Sequence, residues 1–121
     1  LLHLQCHFGM DTLSIARKGT ARTVGVDFSG SAIAKARQLN DQLGLNAEFI
    51  QSNIYTLPEV LGEQFDIVYT SYGVISWLGD LDKWGEIIAR YLKPGGRFVM
   101  VEFHPVVWML DEDLHTIKYP Y

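Results

Sequence analysis

Residues 1–27, LLHLQCHFGMDTLSIARKGTARTVGVD, decide the fold. They contain a short apolar run, a loop around Gly9, a segment with helical spacing, a second apolar run and then Asp27. In a parallel sheet this order forms a nucleotide site, because the loop after the first strand meets a helix N-terminus. An acid about 20 residues after the start of that loop is positioned to bind ribose hydroxyls. Asp27 fits that role, and its alternative role is to cap the following helix.

The rest of the chain continues the alternation of strands and helices. The apolar runs predict strands at Leu1–Cys6, Thr23–Val26, Ala47–Gln51, Phe65–Thr70 and Arg97–Phe103. Helical spacing and capping residues predict helices from Asp11 to about Lys18, from Ser29 to about Leu43, and from Asp80 or Asp82 to about Leu92. Residues 52–62 are expected to be mostly loop, and residues 105–121 an irregular segment or cap. The pattern predicts an α/β fold with a doubly wound parallel sheet and right-handed crossovers.

The composition limits the classes of protein to consider. The 121 residues suffice for one domain, and the net charge of -4 disfavours a nucleic-acid partner. A single cysteine, Cys6, excludes an internal disulfide and favours an intracellular protein. No apolar run approaches the roughly 20 residues that cross a bilayer. We therefore expect a soluble, cytoplasmic protein without a membrane partner.

The ends of the sequence suggest a fragment. The chain begins on an apolar strand without Met, so we expect a helix before Leu1 and further elements after Tyr121. Without those elements the fifth strand forms an exposed edge. Such an edge favours pairing with another chain, as in a homodimer.

Polar residues and glycines gather where the predicted strands end. These positions are Gln5–Gly9, Asp27, Ser52–Asn53 and Thr70–Gly73. Ligands of doubly wound sheets bind outside the carboxyl ends of the strands, so these residues predict the site. A dinucleotide loop requires G-x-G-x-x-G, but Gln5, His7 and Met10 occupy its glycine positions. The loop therefore disfavours NAD or FAD.

Several motifs together resemble the class I S-adenosylmethionine (SAM)-dependent methyltransferases, from the first strand to about His104. The matching segments are VGVDFS at 24–29, QSNIYTLP at 51–58, FDIVYTSYGV at 65–74 and LKPGGRFVMVE at 92–102. The first strand and Gly9 also match the acid-x-G-x-G-x-G motif of the family. His3 replaces its acid, however, and Gln5 and His7 replace its first two glycines. The resemblance implies a Rossmann-like core with strand order 3-2-1-4-5.

The resemblance also implies a SAM site, with S-adenosylhomocysteine (SAH) as the product. In that site the loop around the methionine end contains Gln5, Cys6, His7, Phe8 and Gly9. Asp27 binds the ribose, Phe28 lies beside the base or in the core, Asn53 and Ile54 edge the adenine, and Ser71 borders the cofactor. Gln5 and His7 either donate side-chain hydrogen bonds to the amino-acid end or weaken SAM binding, and we favour the first.

The remaining polar and aromatic residues have less specific signals. His3, Cys6 and His7 do not share one strand face, so we expect a core thiol and site-lining imidazoles rather than a metal site. Trp77, Trp84 and Trp108 are expected mostly in the core, with Trp77 also near a substrate. His104 and Tyr72 are the candidate catalytic bases where the acceptor arrives protonated, and a structural role is an equal alternative.

The leading functional hypothesis is SAM-dependent methyl transfer to a small-molecule acceptor by in-line displacement. The fourth strand ends in TSYG and lacks the N/D-P-P-Y/F motif of amino-methylating nucleic-acid enzymes, which favours a small molecule. A catalytically inactive SAM/SAH-binding module is the first alternative, because Gln5 and His7 replace glycines. A nicotinamide-dependent oxidoreductase is the second, and the loop spacing disfavours it.

Overall fold

A computed structural model describes residues 1–121, which form a five-stranded sheet with helices on both faces. The strands are β1 (Leu2–Leu4), β2 (Val24–Asp27), β3 (Glu48–Gln51), β4 (Phe65–Thr70) and β5 (Leu92–Met100). The α-helices are α1 (Met10–Ala16), α2 (Gly30–Gln42) and α3 (Leu81–Tyr91). Short 3-10 helices span Ile54–Glu59, Ile75–Trp77 and Pro105–Met109. None of the helices has the length and apolar character that a membrane crossing requires.

The sheet is parallel throughout, and its strand order is β3-β2-β1-β4-β5. β1 lies in the centre, where Leu2 pairs with Val24 of β2 and with Val68 of β4. The carboxyl ends of all five strands therefore meet along one edge of the sheet. The predicted doubly wound α/β fold and its strand order are confirmed.

Two apolar cores cover the two faces of the sheet. The larger core packs α3 and the 3-10 helix Ile54–Glu59 against β1, β2 and β4. The α3 residues Trp84, Ile87, Ile88 and Tyr91 are all buried there, as their helical spacing predicts. The smaller core packs α1 and α2 against β3. The sheet is therefore covered by helices on both faces.

The start of α1 differs from the prediction. Gly9, not Asp11, is the N-cap residue, and it adopts a left-handed φ of 71° with no side-chain cap. Asp11 lies in the first turn of the helix. By contrast, the predicted caps of the other helices are present, because Ser29 accepts a hydrogen bond from the Ala32 N–H and Asp80 accepts one from the Lys83 N–H.

The later part of the chain also departs from the predicted boundaries. Much of the predicted loop at residues 52–62 forms the 3-10 helix Ile54–Glu59. β5 begins at Leu92, so the Pro-Gly-Gly turn lies inside the strand as an irregularity, with Gly95 at φ 79°. β5 also ends at Met100 rather than Phe103, because Glu102 turns back to the loop after β4.

Candidate functional site

The carboxyl ends of β1, β2, β3 and β4 border one open cleft of about 660 Å³. Its volume falls within the range of roughly 300–1,000 Å³ that is typical of small-molecule sites. The cleft is lined by Gln5, His7, Val26, Asp27, Phe28, Ser29, Ser52, Asn53, Ile54, Tyr55, Ser71, Tyr72, Gly73, Val74, Trp77 and Leu78. Each of the four strand ends therefore contributes a polar side chain.

Asp27 ends β2 and lines this cleft. Its Oδ2 accepts a hydrogen bond of 2.8 Å from the His7 N–H, and its Oδ1 accepts one of 2.9 Å from the Ser29 N–H. The carboxylate thus ties the loop after β1 to the start of α2. An ionised carboxylate has about four lone-pair sites, so about two remain for hydroxyl groups of a ligand.

The residues after β2 and β3 form one end of the cleft. Phe28 is 72% exposed, so it lies on the cleft wall and not in the core. Asn53 caps the following 3-10 helix, where its Oδ1 accepts a hydrogen bond of 2.9 Å from the Tyr55 N–H. Ile54 is largely buried but also lines the cleft. This end of the cleft therefore combines apolar side chains with one amide.

The loop after β1 has a strained backbone. Gln5 and His7 have φ values of 57° and 50°, in the left-handed region that glycine tolerates and other residues rarely adopt. Each such residue costs about 1–2 kcal/mol. These are the two positions at which the resembling family has glycine. The substitution has left the glycine-like backbone in place and added two side chains to it.

Those two side chains have different surroundings. The Gln5 Oε1 accepts a hydrogen bond of 3.2 Å from the indole Nε1–H of Trp84, a buried residue of α3. The His7 imidazole is exposed and makes no hydrogen bond within the protein. It lies against the Phe8 ring, with 3.8 Å between ring centroids and the planes tilted by 50°. Both line the cleft, but only Gln5 is held by a distant element.

His3 is buried behind the cleft and does not line it, contrary to the expected site-lining role. Its Nδ1 lies 2.7 Å from the Thr12 Oγ1, and its Nε2 lies 3.2 Å from the Ser71 Oγ. Burial lowers the pKa of the imidazole to about 4, although the charges of Asp11 and Asp27 act in the opposite direction. A neutral His3 therefore joins α1 to the cleft wall at Ser71.

Cys6 points away from the cleft into the smaller core, with 5% of its surface exposed. Burial, assisted by the negative charge of Asp27, raises the pKa of the thiol to about 12. The thiol is therefore protonated at neutral pH, and it packs as a small apolar group.

Glu102 holds the loop after β4, a role for which the sequence offers no signal. Its carboxylate accepts hydrogen bonds from the backbone N–H groups of Gly73, Val74, Ile75 and Phe103, at 2.6 to 3.1 Å. Burial alone would raise the pKa of this carboxyl, but the backbone hydrogen bonds outweigh it and lower the pKa. Glu102 is therefore a structural anion that fixes one wall of the cleft.

Exposed aromatic side chains surround the mouth of the cleft on the β4 side. Trp77 is 83% exposed, and Tyr72 packs against Phe103 with 5.4 Å between ring centroids. Phe103 in turn contacts Trp108 edge to face, at 6.2 Å. The expectation that Trp77 and Trp108 lie in the core is therefore wrong, and only Trp84 does. The candidate base His104 does not line the cleft. Its Nδ1 instead caps the next 3-10 helix, where it accepts a hydrogen bond from the Val106 N–H.

The candidate cofactor residues divide into two groups. The cleft is lined by Gln5, His7, Asp27, Phe28, Asn53, Ile54 and Ser71. Cys6, Phe8 and Gly9 do not line it, and Gly9 instead packs against the ring of Phe49 in the smaller core. The candidate base Tyr72 lines the cleft and is exposed.

Comparison with known proteins gives a family. The sequence model of the family described as "Methyltransferase domain" matches residues 1–96. The chain is similar to the demethylmenaquinone methyltransferase of Lactococcus lactis, with 37% identity over 112 residues, 88% of this chain and 43% of that protein. It is also similar to the ubiquinone/menaquinone biosynthesis C-methyltransferase of Bdellovibrio bacteriovorus, with 30% identity over 106 residues, 85% of this chain and 44% of that protein. The chain thus spans less than half the length of these relatives.

A solved structure confirms the fold. The crystal structure of an S-adenosylmethionine-dependent methyltransferase from Clostridium acetobutylicum superimposes with a TM-score of 0.74 and 24% identity. The match covers 82% of this chain and 40% of the other. At that identity the likeness concerns the fold alone.

Proposed function

Because this chain belongs to the family of SAM-dependent methyltransferases, we propose that its cleft binds SAM and that the full-length protein transfers the methyl group to a small-molecule acceptor. The observation that carries this proposal is the position of Asp27. Its carboxylate lines the cleft at the end of β2, with oxygen lone pairs available to two neighbouring hydroxyl groups.

The order of the strand ends supports a ligand that lies across the sheet. Neighbouring strands are about 4.8 Å apart, so the ends of β3, β2, β1 and β4 extend over about 14 Å. In the proposed arrangement adenine lies beside Phe28 and Asn53 at the β3 end, and the ribose lies beside Asp27 at β2. The amino-acid end then falls beside Gln5 and Ser71, at the ends of β1 and β4.

The chemistry of the proposed step requires little from the protein. SAM supplies a methyl group on a positively charged sulfur, and the bond from this carbon to the acceptor forms as the carbon–sulfur bond breaks, giving SAH. The protein holds the acceptor in line with that bond and excludes water. An acceptor that arrives protonated must also lose a proton. Of the two candidate bases, only Tyr72 lines the cleft, and in its phenolate form it could receive this proton.

For the acceptor we propose a ring of the quinone class. Two relatives carry names of quinone-biosynthesis methyltransferases, which motivates this choice. The exposed aromatic side chains that line the cleft, Trp77 and Tyr72, suit a planar ring, since aromatic pairs contribute about 0.5–1.5 kcal/mol beyond their apolar area.

A SAM/SAH-binding module without catalysis is the second candidate. The observation that favours it is the side chains of Gln5 and His7 on left-handed backbone, where the family has glycine. Side chains at these positions occupy space that a ligand reaches in other members of the family. Binding without turnover would identify this candidate.

Titration calorimetry of the full-length protein with SAM, SAH and NAD tests the binding step. We expect SAM and SAH to bind and NAD not to bind. Asp27→Ala should weaken SAM binding by about tenfold or more, which corresponds to about 1.4 kcal/mol. The matched control is Asp41→Ala, an exposed position near the end of α2 and away from the cleft. No SAM or SAH binding at millimolar ligand would refute the proposal, and an unaltered affinity in Asp27→Ala would place the ribose elsewhere.

A transfer assay tests the acceptor. Radiolabelled methyl transfer from SAM to demethylmenaquinone, supplied in oxidised and reduced forms, is compared with transfer to a panel of non-aromatic metabolites. Transfer to the quinone ring in preference to the panel supports the proposed acceptor class. Turnover of a non-aromatic acceptor alone would refute it, while the SAM-binding proposal would stand.

A further inference from the structure

The hydrogen bond between Gln5 and Trp84 fixes which way the Gln5 amide faces. An indole Nε1–H can only donate, so the amide atom 3.2 Å from it is the oxygen Oε1. The nitrogen Nε2 then occupies the other side of the amide, and it makes no hydrogen bond within the protein. Gln5 is also part of the cleft wall. The amide nitrogen therefore has no partner within the protein and is available to donate to a ligand at the end of β1.

The rest of the cleft has no cationic side chain of the Lys or Arg type. Its ionisable lining residues are His7, Asp27, Tyr55 and Tyr72. A carboxylate bound in this cleft must therefore be satisfied by N–H and O–H donors. Asp27 repels it from the β2 end, whereas Gln5 and the Ser71 hydroxyl lie together at the ends of the adjacent strands β1 and β4.

We infer that Gln5, oriented by Trp84, donates its amide N–H groups to the carboxylate at the amino-acid end of the cofactor. The inference rests on the proposed function, since it requires SAM or SAH in the cleft. It assigns a binding role to a side chain where the resembling family has none. A glycine at this position could offer an anion only its backbone N–H, whereas Gln5 also offers its side-chain amide.

Gln5→Glu is the sharpest test, because an oxygen replaces Nε2 while the other carboxylate oxygen still accepts from Trp84. Affinities for SAH and for 5′-methylthioadenosine, which lacks the amino-acid end, are measured by calorimetry. We expect SAH binding to weaken by about tenfold or more, because a charge-assisted hydrogen bond becomes a repulsion. Binding of 5′-methylthioadenosine should change by less than about twofold. The matched control is Gln42→Glu, which adds the same charge on the exposed end of α2.

Trp84→Phe tests the orienting role separately. It keeps an aromatic ring in the core but removes the N–H that selects the amide oxygen. SAH affinity should fall by about threefold to tenfold, because the amide can then present either atom to the cleft. Thermal melts establish that the variant is folded. The second variant is Gln5→Leu, which keeps the Trp84 ring but removes the acceptor of its indole N–H, so its folding is checked in the same way. Gln5→Leu should also weaken SAH selectively over 5′-methylthioadenosine.

The outcomes separate this inference from the proposed function. If the wild-type protein binds neither SAH nor 5′-methylthioadenosine, the proposed function fails and the inference fails with it. If the wild-type protein binds SAH but Gln5→Glu leaves its affinity unaltered, or weakens both ligands equally, only the inference is overturned. Selective loss of SAH binding in Gln5→Glu supports both.

Discussion

The loops that follow β1 and β4 border the same cleft, but they keep their shapes by different means. The loop after β1 contains three residues with left-handed φ, at Gln5, His7 and Gly9. The loop after β4 contains only one, Gly73, and the carboxylate of Glu102 holds its backbone N–H groups. The first loop stores strain within its own backbone, whereas the second is shaped by an anion from a distant segment.

This difference predicts how each loop responds to substitution. In the loop after β1, the effect of a substitution depends on the backbone conformation of the substituted residue and on the space around it. In the loop after β4, the sensitive position lies outside the loop, at Glu102. Substitutions in and around both loops test this contrast. They include His3 of β1, which joins Thr12 of α1 to Ser71 in the loop after β4.

Gly9→Ala should give the largest effect. A Cβ at Gly9 would lie 2.5 Å from the Phe49 Cε1 and 3.0 Å from the Ala36 Cβ, on a backbone with φ 71°. Left-handed strain of about 1–2 kcal/mol adds to overpacking of about 1–3 kcal/mol, so the free energy of unfolding should fall by up to about 5 kcal/mol. Chemical denaturation measures this loss.

Gly19→Ala is the matched control for Gly9→Ala. Gly19 has a similar φ of 84°, but a Cβ there meets nothing within 4 Å. The free energy of unfolding of Gly19→Ala should therefore fall only by the cost of left-handed backbone strain, about 1–2 kcal/mol. Equal losses in the two variants would mean that Phe49 moves aside freely, and that the space around the loop does not constrain it.

His3 should make the stability depend on pH. Its folded-state pKa of about 4 lies below its ordinary value of 6.5, so the unfolded chain binds more protons between these values. The contribution of neutral His3 to the free energy of unfolding is complete above pH 6.5, and it is lost progressively as the pH falls towards about 4. At 1.36 kcal/mol for each pH unit, the loss reaches up to about 3 kcal/mol.

Denaturation of wild type and His3→Gln across this pH range measures the dependence. The slope should flatten in His3→Gln and persist in His115→Gln, which removes an exposed histidine. A slope that persists in His3→Gln would show that the imidazole joining α1 to Ser71 is not the titrating group.

Glu102→Gln should loosen the loop after β4. An amide replaces one of the two oxygens that accept backbone N–H groups, and hydrogen bonds to charged groups contribute about 1.5–3 kcal/mol. We expect a loss of about 2 kcal/mol at neutral pH. Because its hydrogen bonds lower the pKa of Glu102 despite burial, this contribution is present above the ordinary value of 4.5 and is lost as the pH falls through the lowered pKa.

The measurement is the difference in unfolding free energy between wild type and Glu102→Gln at neutral and at acid pH. Glu86→Gln on the exposed face of α3 is the control and should have no effect. A difference of the same size well below pH 4.5 would attribute the loss to packing and not to the carboxylate.

The sequence predicted those parts of the molecule that depend on local pattern. β4 has the predicted bounds Phe65–Thr70, and Ser29 caps α2 as expected, because alternation and capping are properties of neighbouring residues. The placement of Asp27 in the cleft follows from its position at the end of a strand. Its binding of ribose stays a prediction.

Features that depend on distant contacts escaped the sequence analysis. Glu102 bonds to residues 27 to 29 positions away, and the Gln5 amide is oriented by a residue 79 positions away. Asp is a common N-cap residue, so the sequence favoured Asp11. Gly9 is the N-cap residue instead, because glycine adopts the left-handed conformation found there at lower cost. The sequence showed that Gln5 and His7 replace glycines in the loop after β1. Only the structure shows that both residues keep a left-handed backbone.

The smallest effects should come from restoring glycine in the loop after β1. His7→Gly relieves about 1–2 kcal/mol of left-handed strain, and the added freedom of glycine in the unfolded chain offsets about 0.5–1 kcal/mol, so stability should rise by about 0.5–1 kcal/mol. Gln5→Gly gains the same relief but loses the hydrogen bond to Trp84, which contributes about 1 kcal/mol. Its stability should therefore stay within about 0.5 kcal/mol of wild type. Chemical denaturation of both variants measures these changes in stability. A gain in Gln5→Gly as large as that in His7→Gly would mean that the hydrogen bond to Trp84 contributes nothing to stability, and that backbone strain alone distinguishes the loop after β1.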